Sequence, residues 1–285
     1  MDLFRTLHSQ FAALSHPQQP QPPVQILSDL HLEISNQYYT YTFPTSAPLL
    51  LLGGDIGRLV DYDGYLEFLR AQSQRYRAVF LVLGNHEFYT LTYDAGLEEA
   101  RRLVAEPSLS GRVVLLHRAR WDDPDSHLTL LGCTLWSAIR PDESKLVQGV
   151  VSDFKHIQGW TVDSHNAMHV EELAWLQDQV ASLQDQDRRI LVATHHAPCT
   201  KGTSNPDHAK KPWSSAFATD VLQGSGWSKV KTWVFGHTHY TTTFMRNGIT
   251  VAANQRGYVF PTEKKRPKTN PDLSHEFDET KFVTV

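Results

Sequence analysis

The chain has 285 residues, a length that suits one large α/β domain or at most two small ones. Its formal net charge of −4 gives no general attraction to nucleic acid or to an anionic membrane, although a local basic surface would still allow nucleic acid to bind. The two cysteines, Cys133 and Cys199, exclude a disulfide framework and a thiolate zinc cluster. Neither a signal peptide nor an apolar run of about 18 residues is present, so we expect a cytoplasmic or nuclear protein with no membrane span.

The first segment is rich in proline and glutamine. Because its prolines forbid a regular helix, residues 1–23 are predicted to be a leader, and the main domain is predicted to span residues 24–260. The last segment, residues 261–285, is charged and interrupted by prolines, which predicts a C-terminal extension on the surface or partly disordered.

Between the termini, short runs of Val, Ile and Leu alternate with stretches of helical periodicity. This alternation predicts an α/β domain with strands inside and helices outside. Near the end of the domain, Asn247-Gly248 separates two β-prone runs, 241–246 and 249–253, which indicates a hairpin. The predicted strands are 24–28, 49–52, 78–83, 113–116, 128–131, 190–194 and 232–235, and the predicted helices are 62–72, 91–105 and 164–183.

Five predicted strands end in polar residues that can bind metal ions. Open α/β sheets bind ligands beyond the carboxyl ends of their strands, so the five clusters are expected to meet in one cleft. Asp, His and Asn without cysteine suit Mn, Fe, Zn, Co or Ni. In chain order, the clusters are Asp29 and His31; Asp55; Asn85, His86 and Glu87; His195 and His196; and His237 and His239.

Each cluster taken alone also has a structural explanation. Asp29 and His31 could belong to an Asx turn, Gly53-Gly54-Asp55 is typical of a tight turn, and His195-His196 could be a satisfied pair in the core. Five such clusters in order, each after an apolar strand, favour a metal site over coincidence.

The ordered set resembles the calcineurin-like metallophosphoesterase superfamily, whose signature is D-x-H, G-D, G-N-H-[DE], a histidine and G-H-x-H. The resemblance extends from Asp29 to His239. It implies a four-layer α-β-β-α sandwich of two mixed β-sheets flanked by helices. It also implies two metal ions, with Mn, Fe or Zn expected, and hydrolysis of phosphate esters by a hydroxide that bridges them.

The resemblance further implies a role for each residue of the site. His195 is preferred to His196 because the ligand in the family is usually the first histidine after the strand. His86 would stabilise charge and donate a proton to the leaving oxygen, and Glu87 would orient His86. The implied ligands are Asp29, His31 and His239 for one metal, Asn85, His195 and His237 for the other, and Asp55 as the bridge; Asn85 and His86 would contact the substrate. Arg256 lies in the stretch 254–258, which resembles an Asn-x-Arg-Gly-Tyr sequence of some members, and it could contact the substrate or be structural.

Departures from the signature narrow the function. Ser/Thr protein phosphatases carry Asp-Arg-Gly shortly after the G-D block, whereas Arg58 stands at a different offset here. We therefore expect a phosphatase or phosphodiesterase acting on a small molecule or a nucleotide. The alternatives are a nuclease and a non-catalytic, metal-bound scaffold. The loop 199–227 separates two ligand blocks and is a candidate for a substrate-selecting lid, and Tyr258 could contact the substrate or the metal site.

Overall fold

The structure, a computed structural model, describes residues 21–224, 226–260 and 275–285. The predicted leader lies outside these residues except for its last three positions, and so does 261–274 of the predicted extension. The strands are β1 (Val24–Leu27), β2 (Leu49–Gly53), β3 (Ala78–Val82), β4 (Val113–Leu115), β5 (Ala119–Asp122), β6 (Leu128–Cys133), β7 (Arg189–Thr194), β8 (Val230–Phe235), β9 (Thr242–Arg246), β10 (Ile249–Ala253) and β11 (Phe282–Val283); the helices are α1 (Tyr62–Ser73), α2 (Tyr93–Val104), α3 (Ser144–Val150), α4 (Asp153–His156) and α5 (Val162–Ser182).

The strands form two mixed sheets. The first has the order β11-β1-β2-β3-β4, in which β1 to β4 are parallel and β11 is antiparallel to β1. The second has the order β5-β6-β7-β8-β10-β9, with a parallel centre and antiparallel strands at both edges. Parallel strands place their carboxyl ends at one edge of a sheet, which is where the polar clusters lie.

Alternate side chains of each sheet enter different apolar layers. Leu49 and Leu51 of β2 pack with Leu130 and Leu191 between the sheets. Leu50 and Leu52 lie on the other face of β2, in the layer that contains α1 and α2. Burial on both faces explains why these strands are continuous apolar runs. The outer face of the second sheet packs on Leu176 and Val180 of α5 and on Leu183, which follows the helix. The layers therefore follow the order α-β-β-α, as predicted.

Several boundaries differ from the prediction. Helix α5 begins at Val162, two residues early, because Thr161 and Ser164 form a reciprocal capping box before the apolar stripe starts. Strands β5 and β11 were not predicted, since both are short edge strands, of four and two residues. The hairpin is as predicted, with positive φ at both Asn247 and Gly248.

The described part of the predicted extension, residues 275–285, completes the first sheet. Val283 pairs with Val24, and Asn254 Nδ2 donates to the carbonyl of Asp278 at 2.8 Å. These residues are mostly exposed or half-buried, but they add an edge strand to the sheet, which the prediction of a C-terminal extension did not include. No helix in the described ranges is long and apolar enough to cross a membrane.

Candidate metal centre

The residues predicted as metal ligands follow strands of both sheets. Asp29 and His31 follow β1, and Asp55 follows β2. From the second sheet, His195 follows β7 and His237 follows β8. The two sets meet directly, since the His237 amide donates to Asp29 Oδ1 at 2.9 Å across 208 residues of sequence. The remaining predicted residues are Asn85 and His86 after β3, and His239 after β8.

Five of these residues have a left-handed backbone. A positive φ costs a residue other than glycine roughly 1–3 kcal/mol, and it persists only where the surrounding structure imposes it. In the loop after β1, the His31 amide donates to the Asp55 carbonyl at 3.0 Å, which holds the two loops together at these residues. The values of φ are 53° at Asp29, 48° at His31, 52° at Asp55, 72° at His237 and 50° at His239.

Two glycines let the strand ends approach one another. Gly54 has a φ of 90°, and a Cβ atom there would collide with His195. A Cβ atom on Gly84 would collide with the Asp55 carboxylate. Glycine at both positions therefore keeps space for the site rather than only allowing a turn.

One group of candidate ligands consists of Asp29, His31 and His239, whose ligand atoms all lie within 4.8 Å of one another. His239 Nε2 is 3.0 Å from His31 Nε2 and 3.5 Å from Asp29 Oδ1. Carboxylate and imidazole donors that converge in this way can hold a first-row transition metal.

A second group consists of Asp55, His195 and His237, again within 4.8 Å. Asn85 adjoins this group, because its Oδ1 atom is 3.1 Å from His195 Nε2. His195 Nδ1 lies 2.9 Å from the carbonyl of Gly53, which fixes the ring with Nε2 toward the other ligands. The structure thus brings together all the predicted ligands of the second metal.

His237 tests whether a metal fits these donors. Its Nε2 atom is buried and has no hydrogen-bond partner among the described residues, a condition that costs roughly 1–3 kcal/mol. Burial and the charge of His195 hold the pKa of His237 well below its usual range, so the ring is neutral, the form that binds metals. A metal beside Nε2 would satisfy this atom. The neighbouring His196 stacks on His237, with ring centroids 4.0 Å apart, but belongs to none of the ligand groups.

Asp55 lies between the two groups. Its Oδ1 atom is 3.4 Å from His195 Nε2, and its Oδ2 atom is 4.0 Å from His31 Nε2. Asp55 therefore has an oxygen near each group, a position from which one carboxylate can serve two metal ions. Burial opposes ionisation, but the positive charges of His195 and His86 outweigh it and hold the pKa of Asp55 well below its usual range.

Asn85 is oriented by two residues that the sequence did not indicate. Its Nδ2 atom donates to Asp153 Oδ1 at 2.7 Å and to the Tyr89 hydroxyl at 3.3 Å. The Tyr89 hydroxyl also donates to Asp153, at 2.9 Å. These contacts occupy the amide NH₂ group and leave the amide oxygen toward His195. The sequence did not indicate Asp153, because it lies 68 positions from Asn85, in a short helix outside every motif.

His86 lies beside both groups and is held from two sides. Its Nδ1 atom is 3.0 Å from Glu33 Oε1, and its Nε2 atom is 3.1 Å from the Tyr258 hydroxyl. The same Glu33 oxygen is 3.2 Å from His31 Nδ1. Burial lowers the pKa of His86, but the carboxylates of Asp55 and Glu33 have the larger effect and raise it to about 9.

The prediction that Glu87 orients His86 is wrong, because its carboxylate is used elsewhere. It is buried and holds the turn that carries Asp55. Glu33 contacts His86 instead, and its place two residues after His31 was the available signal. The four groups that donate to Glu87, at 2.7 to 2.9 Å, are the backbone amides of Asp55, Ile56 and Gly84 and the Tyr65 hydroxyl.

The contacts of Arg256 favour the structural alternative over a role in substrate binding. Its guanidinium donates to the carbonyl of Leu30 at 3.1 Å and to Gln37 Oε1 at 2.8 Å, and it lies 4.2 Å from the ring centroid of Tyr41. These contacts stabilise the loop after β1. Tyr258, two residues later, lines the cleft above the candidate ligands.

Comparisons with known proteins agree with this geometry. The chain matches the calcineurin-like phosphoesterase family model over residues 22–241. It is 26% identical over 279 residues to an uncharacterised protein of Acanthamoeba polyphaga mimivirus, covering 88% of this chain and 96% of the relative. In fold, it is similar to phosphopantetheinyl hydrolase from Mycobacterium tuberculosis, with a TM-score of 0.62 and 18% identity; the match covers 84% of this chain and 90% of the hydrolase chain. It is also similar to a dimetal phosphatase from Danio rerio, with a TM-score of 0.50 and 12% identity; the match covers 83% of this chain and 88% of the phosphatase chain.

The family match includes both ligand groups and His86, and it covers most of the chain. The chain therefore belongs to the calcineurin-like phosphoesterase family and is a metal-dependent phosphoesterase.

Proposed function

We propose that the chain hydrolyses phosphate monoesters or diesters of small molecules or nucleotides with two metal ions. The observation that carries this proposal is the position of Asp55, whose carboxylate has an oxygen near each ligand group. Mn, Fe or Zn suits the mixed donors. When bound, two such ions supply positive charge that polarises the phosphoryl group and activates water. Asp29, His31 and His239 would hold one ion, Asn85, His195 and His237 the other, with Asp55 shared.

In this proposal His86 donates the proton that the leaving oxygen requires. Glu33 fixes its Nδ1 atom, so Nε2 points in a defined direction beside the Tyr258 hydroxyl. A carboxylate that holds one nitrogen of an imidazole orients the ring and stabilises its protonated form. Asn85 and His86 would contact the phosphoryl group. Arg256 would not contact the substrate, because its guanidinium already donates to Leu30 and Gln37.

Purified protein reconstituted with Mn²⁺ tests the proposal. We expect about two equivalents of bound metal and hydrolysis of p-nitrophenyl phosphate, bis-p-nitrophenyl phosphate or both. Protein that binds two equivalents but hydrolyses neither ester nor single-stranded DNA would instead be a metal-bound scaffold. Hydrolysis confined to single-stranded DNA would identify a nuclease.

A further inference from the structure

A second cavity, of about 280 Å³, opens beside the metal centre. It is formed mainly by the segment 200–218, which follows the β7 ligand block. His208, Trp213, Phe217 and Thr238 line both this cavity and the cleft above the candidate ligands. The two spaces therefore adjoin, and an organic group attached to a phosphate in the cleft would lie next to the cavity.

The wall nearest the metal centre is fixed in place. The Phe217 ring stacks on the candidate ligand His237, with centroids 4.7 Å apart and an interplanar angle of 22°. The carbonyl of Phe217 accepts a hydrogen bond from the amide of Ala197 at 3.2 Å. At the base of the segment, the Thr200 amide and hydroxyl both donate to the Asp220 carboxylate, at 2.9 and 2.8 Å. The cavity is therefore preformed beside the ligands.

The chemistry of the walls favours a flat ring with polar edges. Trp213 and Phe217 are both only partly buried and provide aromatic faces. The rim is polar, with the hydroxyls of Ser204 and Ser214 and the Lys211 ammonium group, which lies 5.8 Å from the Trp213 ring centroid. Aromatic faces stack on heteroaromatic rings, and polar rims can hydrogen-bond their heteroatoms. The volume of about 280 Å³ is just below the range typical of ligand sites, about 300–1,000 Å³, and suits one ring system.

We propose that this cavity binds a heteroaromatic group of the substrate, such as the base of a nucleotide, against the partly buried rings of Trp213 and Phe217. The proposal deepens the phosphoesterase function and rests on it for the position of the phosphate. It assigns the segment 200–218 to recognition of the organic part of the ester.

The test compares adenosine 5′-phosphate with ribose 5-phosphate, which share the phosphate and the sugar and differ in the base. Binding is measured by calorimetry on Mn²⁺-loaded His86→Ala protein, so that turnover does not consume the ligand, and kcat/KM is measured on the wild type. We expect adenosine 5′-phosphate to bind about 10- to 100-fold more tightly. Trp213→Ala should abolish most of this preference, whereas Trp213→Phe, which keeps an aromatic face, should retain it.

The outcomes separate the subsite from the hydrolytic function. Equal affinity for the two phosphates, or an unchanged preference in Trp213→Ala, would overturn the subsite even if both esters are hydrolysed. Equal binding of n-octyl phosphate and adenosine 5′-phosphate would overturn the heteroaromatic assignment in favour of a merely apolar cavity. If the wild type hydrolyses no ester, the proposed function fails, and the calorimetric comparison still decides the subsite.

Discussion

Glu33 Oε1 lies 3.0 Å from His86 Nδ1 and 3.2 Å from His31 Nδ1. One carboxylate oxygen therefore positions a candidate metal ligand and the proposed proton donor together. Because the contact with His86 stabilises its protonated form, loss of the Glu33 charge should affect proton donation to the leaving oxygen.

Glu33→Gln should reduce turnover most for esters with poor leaving groups. Phenolate needs a proton as it leaves, whereas p-nitrophenolate needs it far less. We expect kcat for phenyl phosphate to fall by about 10²-fold and kcat for p-nitrophenyl phosphate to fall much less. Glu67→Gln, on the exposed face of α1, is the matched control. An equal loss for both esters would mean that Glu33 acts only by holding His31 or the fold.

His86→Ala should keep the metal ions and lose turnover, because His86 belongs to neither of the two ligand groups proposed to hold metal. Removal of a proton donor lowers kcat by about 10²- to 10⁴-fold. Metal content by plasma mass spectrometry and initial rates, measured on the same preparation, check both parts. His127→Ala, a surface substitution, is the control. Undiminished turnover in His86→Ala would remove its catalytic role.

Asp153→Ala should weaken metal binding selectively at the group that contains Asn85. Without Asp153, the Asn85 amide loses its 2.7 Å hydrogen bond and can turn its oxygen away from His195. Loss of such an orienting partner lowers metal affinity by about 10- to 100-fold. Metal titration should show one weakened site and one unchanged site, and Asp142→Ala, an exposed carboxylate, should change neither. Two equally weakened sites would contradict the proposed role of Asp153.

The motif residues were predictable because each follows a strand whose apolar run is visible in the sequence. Asp29 and Asp55, for example, each stand two residues after the end of such a strand. Residues that act through tertiary contacts were not predictable. Asp153 meets Asn85 only after the chain folds, and Glu87 lies beside His86 in sequence but its carboxylate turns inward to the amides around Asp55. Proximity in sequence therefore predicted Glu87 as the partner of His86, whereas Glu33 is the residue that contacts it.

The last strand was also not predictable, because it depends on a tertiary contact. Phe282–Val283 is too short to be predicted as a strand, and it exists because the edge of β1 offers unpaired backbone groups. Strand pairing across the whole length of the chain leaves no local signal. The predicted cytoplasmic location stays a prediction.

Glu172, buried in α5, should make stability depend on pH. Burial raises its pKa to about 8, whereas a glutamate in an unfolded chain titrates near pH 4.3, roughly. Between these values the unfolded chain releases a proton that the folded protein keeps. The contribution of Glu172 to stability is therefore complete below about pH 4 and is lost as pH rises toward 8.

Glu172→Gln should remove this loss. We expect the free energy of unfolding of Glu172→Gln, relative to that of the wild type, to increase between pH 5 and pH 8. The increase is at most ~1.4 kcal/mol per pH unit. Urea unfolding at several pH values measures the difference. Glu171→Gln, at the exposed neighbouring position, should show no such trend. A difference between Glu172→Gln and the wild type that does not change with pH would contradict the buried, protonated carboxyl.

Asp55→Asn should weaken both metal ions together, whereas His237→Ala and His239→Ala should each weaken one. The reason is that Asp55 faces both ligand groups and each histidine belongs to one. Metal titrations of the three variants, run in parallel, distinguish these effects. Loss of only one ion in Asp55→Asn would contradict the bridging role.

Anomalous diffraction from crystals of the Mn²⁺-loaded protein tests the dinuclear centre most directly. Two peaks about 3.5–4 Å apart are expected, one on each side of the Asp55 carboxylate, and both should fade in Asp55→Asn. A single peak in the wild type, or two peaks that persist undiminished in Asp55→Asn, would contradict a metal pair bridged by Asp55.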